Sequence, residues 1–142
     1  MQHIGITSSA LAVIHAAAAE TPAVEVCGLL IGDTVIALAV QTPNVAAEPA
    51  RTFEIDPAAL FAALKVERAG GPRVLGYWHS HPSGDTRPSA TDAAMAAADG
   101  RIWIIVAANQ VSAWTATAGG AVEGCFDAVE LVMMSDQRLL AT

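Results

Sequence analysis

Apolar and polar positions along this chain fall into short blocks whose period changes from one block to the next. "HIGIT" (3–7) reads as a short strand. Ser8 or Ser9 can then cap a helix that runs to about Glu20, and Thr21-Pro22 breaks it. Val24 to Ile31 is an apolar run carrying one acid, Glu25, and reads as a strand; Gly32-Asp33 turns the chain, and Val35 to Val40 returns as the next strand. Gln41 to Pro49 is loop. "RTFEID" (51–56) suits a strand, after which Asp56-Pro57 starts a helix that reaches about Ala69 and stops at Gly70-Gly71-Pro72. Arg73 to His81 is again strand, Pro82 to Pro88 loop, and Ser89 begins a helix to about Asp99. "RIWIIVAA" and "VSAWTAT" are two further strands about a turn at Asn109-Gln110, and Val122 to Met134 fits strand or helix. This succession predicts one α/β domain over residues 1–142, with a mixed central sheet flanked by helices.

Composition narrows the function more than the fold. Hydrophobic residues make up 54% of the 142 positions, much of it alanine, and charged residues only 15%. No run approaches the roughly 18 apolar residues of a membrane span, and no basic-then-apolar leader opens the chain, so a cytoplasmic protein is expected. The net charge is −7, and the seven Lys and Arg residues are scattered. That argues against nucleic acid and against an anionic membrane surface as partners. Cys27 and Cys125 lie far apart with no Cys-x-x-Cys spacing, so both are expected to pack as small reduced side chains. Trp78, Trp103 and Trp114 read as sheet or core residues.

Against this apolar background "GYWHSHPSGDTRPSATD" (76–92) concentrates polar chemistry at the end of a predicted strand. His79 and His81 share one face of that strand, and Ser80 points the other way. Two imidazoles one step apart can grip one metal ion. Pro82 ends the ladder, and the loop is long enough to return a third ligand. Asp92, in the first turn of the next helix, is the candidate. Two histidines and a carboxylate leave a tetrahedral zinc with one position open to water, whose pKa falls to about 7. Plainer uses exist for the same residues. A histidine pair on a strand is commonly structural, and Glu25 alone could be an exposed strand acid. Ser89-Ala90-Thr91-Asp92 also fits a capping box, with Asp92 reaching back to the backbone; Asp92 is not expected to serve both the cap and a metal.

The complete set, His79-Ser80-His81-Pro82, then Ser89 and Asp92, with Glu25 upstream in "PAVEVCGLLIG" (22–32), resembles the JAMM motif of the MPN+ (JAB-domain) zinc metallopeptidases. "NVAAEPARTFEIDPAALFAAL" (44–64) is similar to the middle of the family's compact bacterial members. The resemblance implies the MPN fold, related to that of the cytidine deaminases, and one Zn2+ per chain held by His79, His81 and Asp92. It implies Glu25 as the general base and Ser89 as hydrogen-bond donor to the oxyanion. The activity implied is amide hydrolysis at the C-terminal tail of a ubiquitin-like protein, in the compact members a sulfur carrier. Such a Gly-Gly-type tail can bind as an added strand along a sheet edge, with "VAAEPART" (45–52) as one wall of the groove. Two other readings stand beside it: a non-catalytic MPN scaffold, a kind often found as dimers, and a zinc hydrolase of small peptides. A homodimer is compatible with the first two. Zinc deaminases need His-x-Glu and Pro-Cys-x-x-Cys, and neither occurs in the sequence.

Overall fold

The computed structural model describes residues 2–136, so the two ends of the expected 1–142 domain lie outside the described residues. The elements run β1 (Gln2–Thr7), α1 (Ser8–Glu20), β2 (Cys27–Gly32), β3 (Val35–Thr42), α2 (Pro57–Arg68), β4 (Arg73–Ser80), α3 (Ala90–Met95), β5 (Ile102–Ala107), β6 (Gln110–Gly120) and β7 (Gly124–Met134). The sheet is mixed, as the block pattern predicts. β1 runs parallel to β3 and β7, β4 runs parallel to β5, and the remaining pairs are antiparallel. The order β1-β3-β2-β4-β5-β6-β7 closes on itself through the β1–β7 pair. Each of these strands therefore has a neighbour on both sides, although β1 meets β3 at only two positions, Gly5 to Val35 and Ile6 to Ile36.

Burial explains which blocks became which element. β5 is apolar and buried at all six positions, the pattern of a strand covered on both faces. α1 buries Ala10, Ile14 and Ala17, one stripe at helical spacing, against Ile6, Leu30, Ile36, Trp78, Ile104 and Val106. α2 packs Leu60, Ala63 and Leu64 on Leu29, Ile31 and Val74 at another part of the sheet. Between these, β4 divides its side chains by parity: Trp78 faces the α1 cluster, while Tyr77 and His79 face Trp103. Gly28 lets β2 lie against Trp78; a Cβ there would overlap both the Val40 carbonyl and the indole. Trp78 and Trp103 are buried core residues. Both cysteines are unpaired, and burial pushes the Cys27 thiol up to about 11, so it packs as an inert small side chain.

Several boundaries differ from the sequence reading, each for a local reason. The α1 cap is Thr7, whose Oγ1 accepts from the Ala10 N–H at 3.2 Å, not Ser8 or Ser9. Glu25 precedes β2 instead of lying within it. Residues 51–56 form no strand: one bridge, Asn44 to Ile55, is all the pairing they make. The tight turn is Ala108-Asn109, both at positive φ, one residue earlier than Asn109-Gln110. α3 stops at Met95 and does not reach Asp99. Of Val122 to Met134, left open above, Gly124–Met134 resolves as β7, flanked by β6 and β1. No described helix is long and apolar enough to cross a membrane.

Candidate functional site

Four of the five candidate residues meet at the end of β4. Glu25, His79, His81 and Asp92 are all buried, and one ligand atom from each lies within 4.8 Å of the others. His79 is the next-to-last residue of β4, opposite Cys27 on one side and Ile105 on the other. His81 follows the strand but keeps its register by donating its N–H to the Val106 carbonyl at 3.0 Å. The two imidazoles therefore share a face, with their Nε2 atoms 3.0 Å apart. Ser80 points away, and its hydroxyl accepts the Val26 N–H at 2.9 Å.

Glu25 has no strand to position it, yet its backbone is clamped on both sides. Its N–H donates to the Pro49 carbonyl at 2.7 Å, and its carbonyl accepts from Asn44 Nδ2 at 2.8 Å. Asn44 also donates to the Thr52 carbonyl and accepts the N–H groups of Ala46 and Glu54. One asparagine thus ties the 43–56 segment, here termed the arm, to the backbone that carries Glu25. The Ala46 contact is the local turn that Asn forms with its own chain two residues on, the only sequence signal that could have found it.

Asp92 takes part in the cap and also meets both histidines. It completes the capping box of α3, accepting the Ser89 N–H on Oδ2 at 2.9 Å while Ser89 Oγ accepts the Asp92 N–H at 3.0 Å. The same carboxylate meets His79 Nε2 with Oδ1 at 3.1 Å and His81 Nε2 with Oδ2 at 3.0 Å. Two oxygens with about four lone-pair directions can serve both roles. The cap holds the carboxylate in place for the histidines.

The proton inventory shows what the group lacks. His81 Nδ1 can only donate to the Asp85 carbonyl, 2.7 Å away. In a neutral ring its Nε2 then carries a bare lone pair, which faces Asp92 Oδ2 and His79 Nε2. Acceptors facing one another at 3.0 Å need a proton or a metal cation between them. Burial works against a proton on His81, but Asp92, the Asp85 carbonyl and Glu25 outweigh it and raise the pKa. On His79 burial wins over Asp92 and lowers it. Asp92 resists its own burial because both imidazoles hydrogen-bond it and hold its carboxyl far below the usual range. Burial, with Asp92 adding to it and His81 opposing, pushes Glu25 up to about 7. Glu25 Oε1 and His79 Nδ1 are buried with no hydrogen-bond partner among the described residues. The donor set, with its facing lone pairs, fits a divalent metal.

His79 lacks the hydrogen bond that ordinarily orients a ligating imidazole. Packing orients it instead: Phe53 stacks on the ring at 4.1 Å and 20°, and Trp103 meets it edge-on at 5.8 Å. Sequence reasoning missed Phe53, because "RTFEID" looked like an ordinary strand. Beside the group opens a cleft of about 230 Å³ lined by Glu25, Ala50, Arg51, His81, Pro82, Ser83, Ser89 and Thr91. Ser89 and Glu25 both line it.

A mixed barrel with a buried carboxylate–imidazole group at the end of one strand defines a fold and a site that comparison with known proteins then places. Residues 7–117 match the prokaryotic homologs of the JAB domain, and the chain belongs to that family. The desampylase of Haloferax volcanii is 40% identical over 91 residues, a match covering 62% of this chain and 66% of that protein. A probable TtuB-protein conjugate cleaving protease of Thermus thermophilus is 37% identical over 65 residues, 46% of this chain and 44% of that protein. The chain thus matches just under two thirds of the first relative and less than half of the second. In fold it is similar to a protein of Desulfitobacterium hafniense, with TM-score 0.78 at 24% identity over 93% of each chain. A JAB1/MPN domain protein of Archaeoglobus fulgidus gives TM-score 0.60 at 23% identity over 93% of this chain and 100% of that one.

Proposed function

We propose that this protein is a zinc metallopeptidase that hydrolyses an amide bond at the C-terminal tail of a ubiquitin-like protein of the sulfur-carrier kind. The observation that carries this reading is the buried group of Glu25, His79, His81 and Asp92 beside an open cleft. The names of the two relatives, desampylase and a TtuB-protein conjugate cleaving protease, support the substrate class.

His79 and His81, through Nε2, and the Asp92 carboxylate would hold one zinc, a nitrogen-and-oxygen set that zinc accepts readily. Bound there, the ion would polarise the scissile carbonyl and ease deprotonation of the attacking water. Glu25 takes that proton and returns it to the leaving nitrogen, a task suited to a carboxyl whose burial brings its pKa to about 7. Ser89 uses an acceptor lone pair for the Asp92 N–H, so its own O–H is left to donate to the oxyanion that develops in the cleft. The tail would lie along the arm, where Ala50 and Arg51 wall the cleft. The cytoplasm suits the two unpaired cysteines.

The test is intact-mass analysis of zinc-loaded protein incubated with a ubiquitin-like carrier whose Gly-Gly tail bears a short extension, beside the same tail as a free peptide. A cut after the last glycine, with the carrier strongly preferred, is expected. No cleavage of any tailed carrier would return the chain to the scaffold reading. Equal rates on carrier and peptide would make it a small-peptide hydrolase.

Ser89→Ala separates its two roles. Loss of the cap should cost about 1 kcal/mol of stability. Loss of the donor should lower turnover by about 10²- to 10³-fold with zinc content unchanged. A lower melting temperature with unchanged turnover would leave Ser89 as a cap only.

A further inference from the structure

Ser80 stands between the two histidines, yet the histidine–carboxylate group makes no use of it. Its side chain is buried on the other face of the strand, against the residues on either side of Glu25. The last rung that pairs β2 with β4 joins Cys27 to His79. One step further, the Ser80 N–H still donates to the Val26 carbonyl at 2.9 Å. In a regular antiparallel pair the Val26 N–H would return to the Ser80 carbonyl. It goes instead to the Ser80 hydroxyl, at 2.9 Å. That hydroxyl has its own proton left to donate, and the Val24 carbonyl lies 3.5 Å away. A side chain thus replaces a backbone rung where the chain leaves the ladder at Glu25.

We propose that Ser80 is a positioning residue for Glu25: its hydroxyl fixes the backbone on both sides of the acid and so sets where the carboxylate stands relative to His79, His81 and Asp92. The inference rests on the functional reading above, in which Glu25 is the general base, and names what holds that base in place. Three observations carry it. Glu25 Oε1 has no hydrogen-bond partner among the described residues, so the placement of the carboxylate depends on its backbone. The hydroxyl reaches the residue before Glu25 and the residue after it. The other clamp on Glu25, from Pro49 and Asn44, belongs to the arm, whereas Ser80 belongs to β4, the strand that carries His79. Ser80 therefore ties the base to the same strand as a metal ligand. Only a hydroxyl of this size can accept an N–H and donate to a carbonyl at once, so alanine loses both bonds and threonine keeps both. Threonine also has room. Ser80 borders a cavity of about 240 Å³ with Ala18, Pro22 and Val106, and a β-branched residue suits a strand.

The test places Ser80→Ala and Ser80→Thr in the wild-type and Glu25→Gln backgrounds, each assayed well below its melting temperature. On the extended carrier, zinc-loaded Ser80→Ala should keep about one zinc per chain and a KM within about twofold of wild type. Its kcat should fall by about 10- to 10²-fold, the scale for a reacting group displaced by about 1 Å. Ser80→Thr should return kcat to within about threefold of wild type. In the Glu25→Gln background no base is left to misplace, so Ser80→Ala should lower the remaining rate by less than about twofold. An equal loss in both backgrounds, or a kcat that Ser80→Ala leaves unchanged, would overturn the proposal and leave the function standing. Amide hydrogen exchange of the metal-free proteins reads the same point without turnover, and decides it if no carrier is cleaved. The Glu25 N–H donates to Pro49 and not to Ser80, so its exchange reports release of Glu25 itself. That exchange should be at least about tenfold faster in Ser80→Ala and restored in Ser80→Thr, with the His81 N–H unchanged. An unchanged Glu25 amide would show that the arm alone holds the acid, and an equal acceleration at His81 would make Ser80 a support of the whole strand end; either result overturns the proposal.

Discussion

His81→Ala should abolish metal binding and turnover together. Elemental analysis is expected to find about one zinc per wild-type chain and almost none in the variant, with activity down by at least 10³-fold. The size of the effect follows from the geometry. His81 Nε2 is the atom that both His79 Nε2 and Asp92 Oδ2 approach at 3.0 Å; without it, the remaining two donors cannot enclose a cation. Stability gives a readout independent of activity. A ligand that binds only the native state at a hundredfold over its Kd adds about 2.7 kcal/mol, several degrees in Tm for a domain of this size. Zinc should raise the wild-type Tm by that much and leave His81→Ala unmoved. The metal-free variant should still fold, because Asp92 keeps both its cap and its contact with His79. Full zinc content in a folded His81→Ala protein would remove His81 from the ligand set.

The sequence made the buried histidine–carboxylate group legible because strand parity and a fixed spacing carry it. His79 and His81 had to share a face, and Asp92 had to lie in the first turn of a helix. The supporting residues were hidden for a physical reason: they act through tertiary contacts that no local pattern encodes. Phe53 reads as one hydrophobe in "RTFEID", and only the folded arm lays it on His79. Asn44 looks like a loop residue, and only the fold brings its amide to the Glu25 carbonyl. Closure of the barrel was equally invisible, since it depends on β1 pairing with β7 across the whole length of the chain. Residue-by-residue reasoning gave the Asp92 carboxylate one role, whereas its two oxygens reach both the cap and the two histidines.

Glu25→Gln should keep zinc and lose turnover by about 10²- to 10⁴-fold, the range for a general base. The amide has the carboxylate's shape but cannot take a proton from water. The pH dependence of the metal-free chain gives the same residue a second test. Burial, with Asp92 adding to it and His81 opposing, raises Glu25 from 4.5 to about 7 in the folded protein. Between those values the native state holds a proton that the unfolded chain has released. The stability this contributes is complete below pH 4.5 and lost as pH rises through 7. Replacing the carboxyl with an amide removes that slope. Chemical denaturation of the chelated proteins should therefore find Glu25→Gln and wild type nearly equal at pH 4. At pH 8 the variant should be more stable by about 2 kcal/mol, a figure already reduced for solvent at the mouth of the cleft. In the loaded enzyme a neighbouring cation favours the carboxylate, so the acid limb of kcat/KM should fall below pH 7 and disappear in Glu25→Gln. A variant that gains no stability at pH 8 would show that the Glu25 carboxyl is not confined by burial. One that keeps turnover would show that the proton leaves the water by another path.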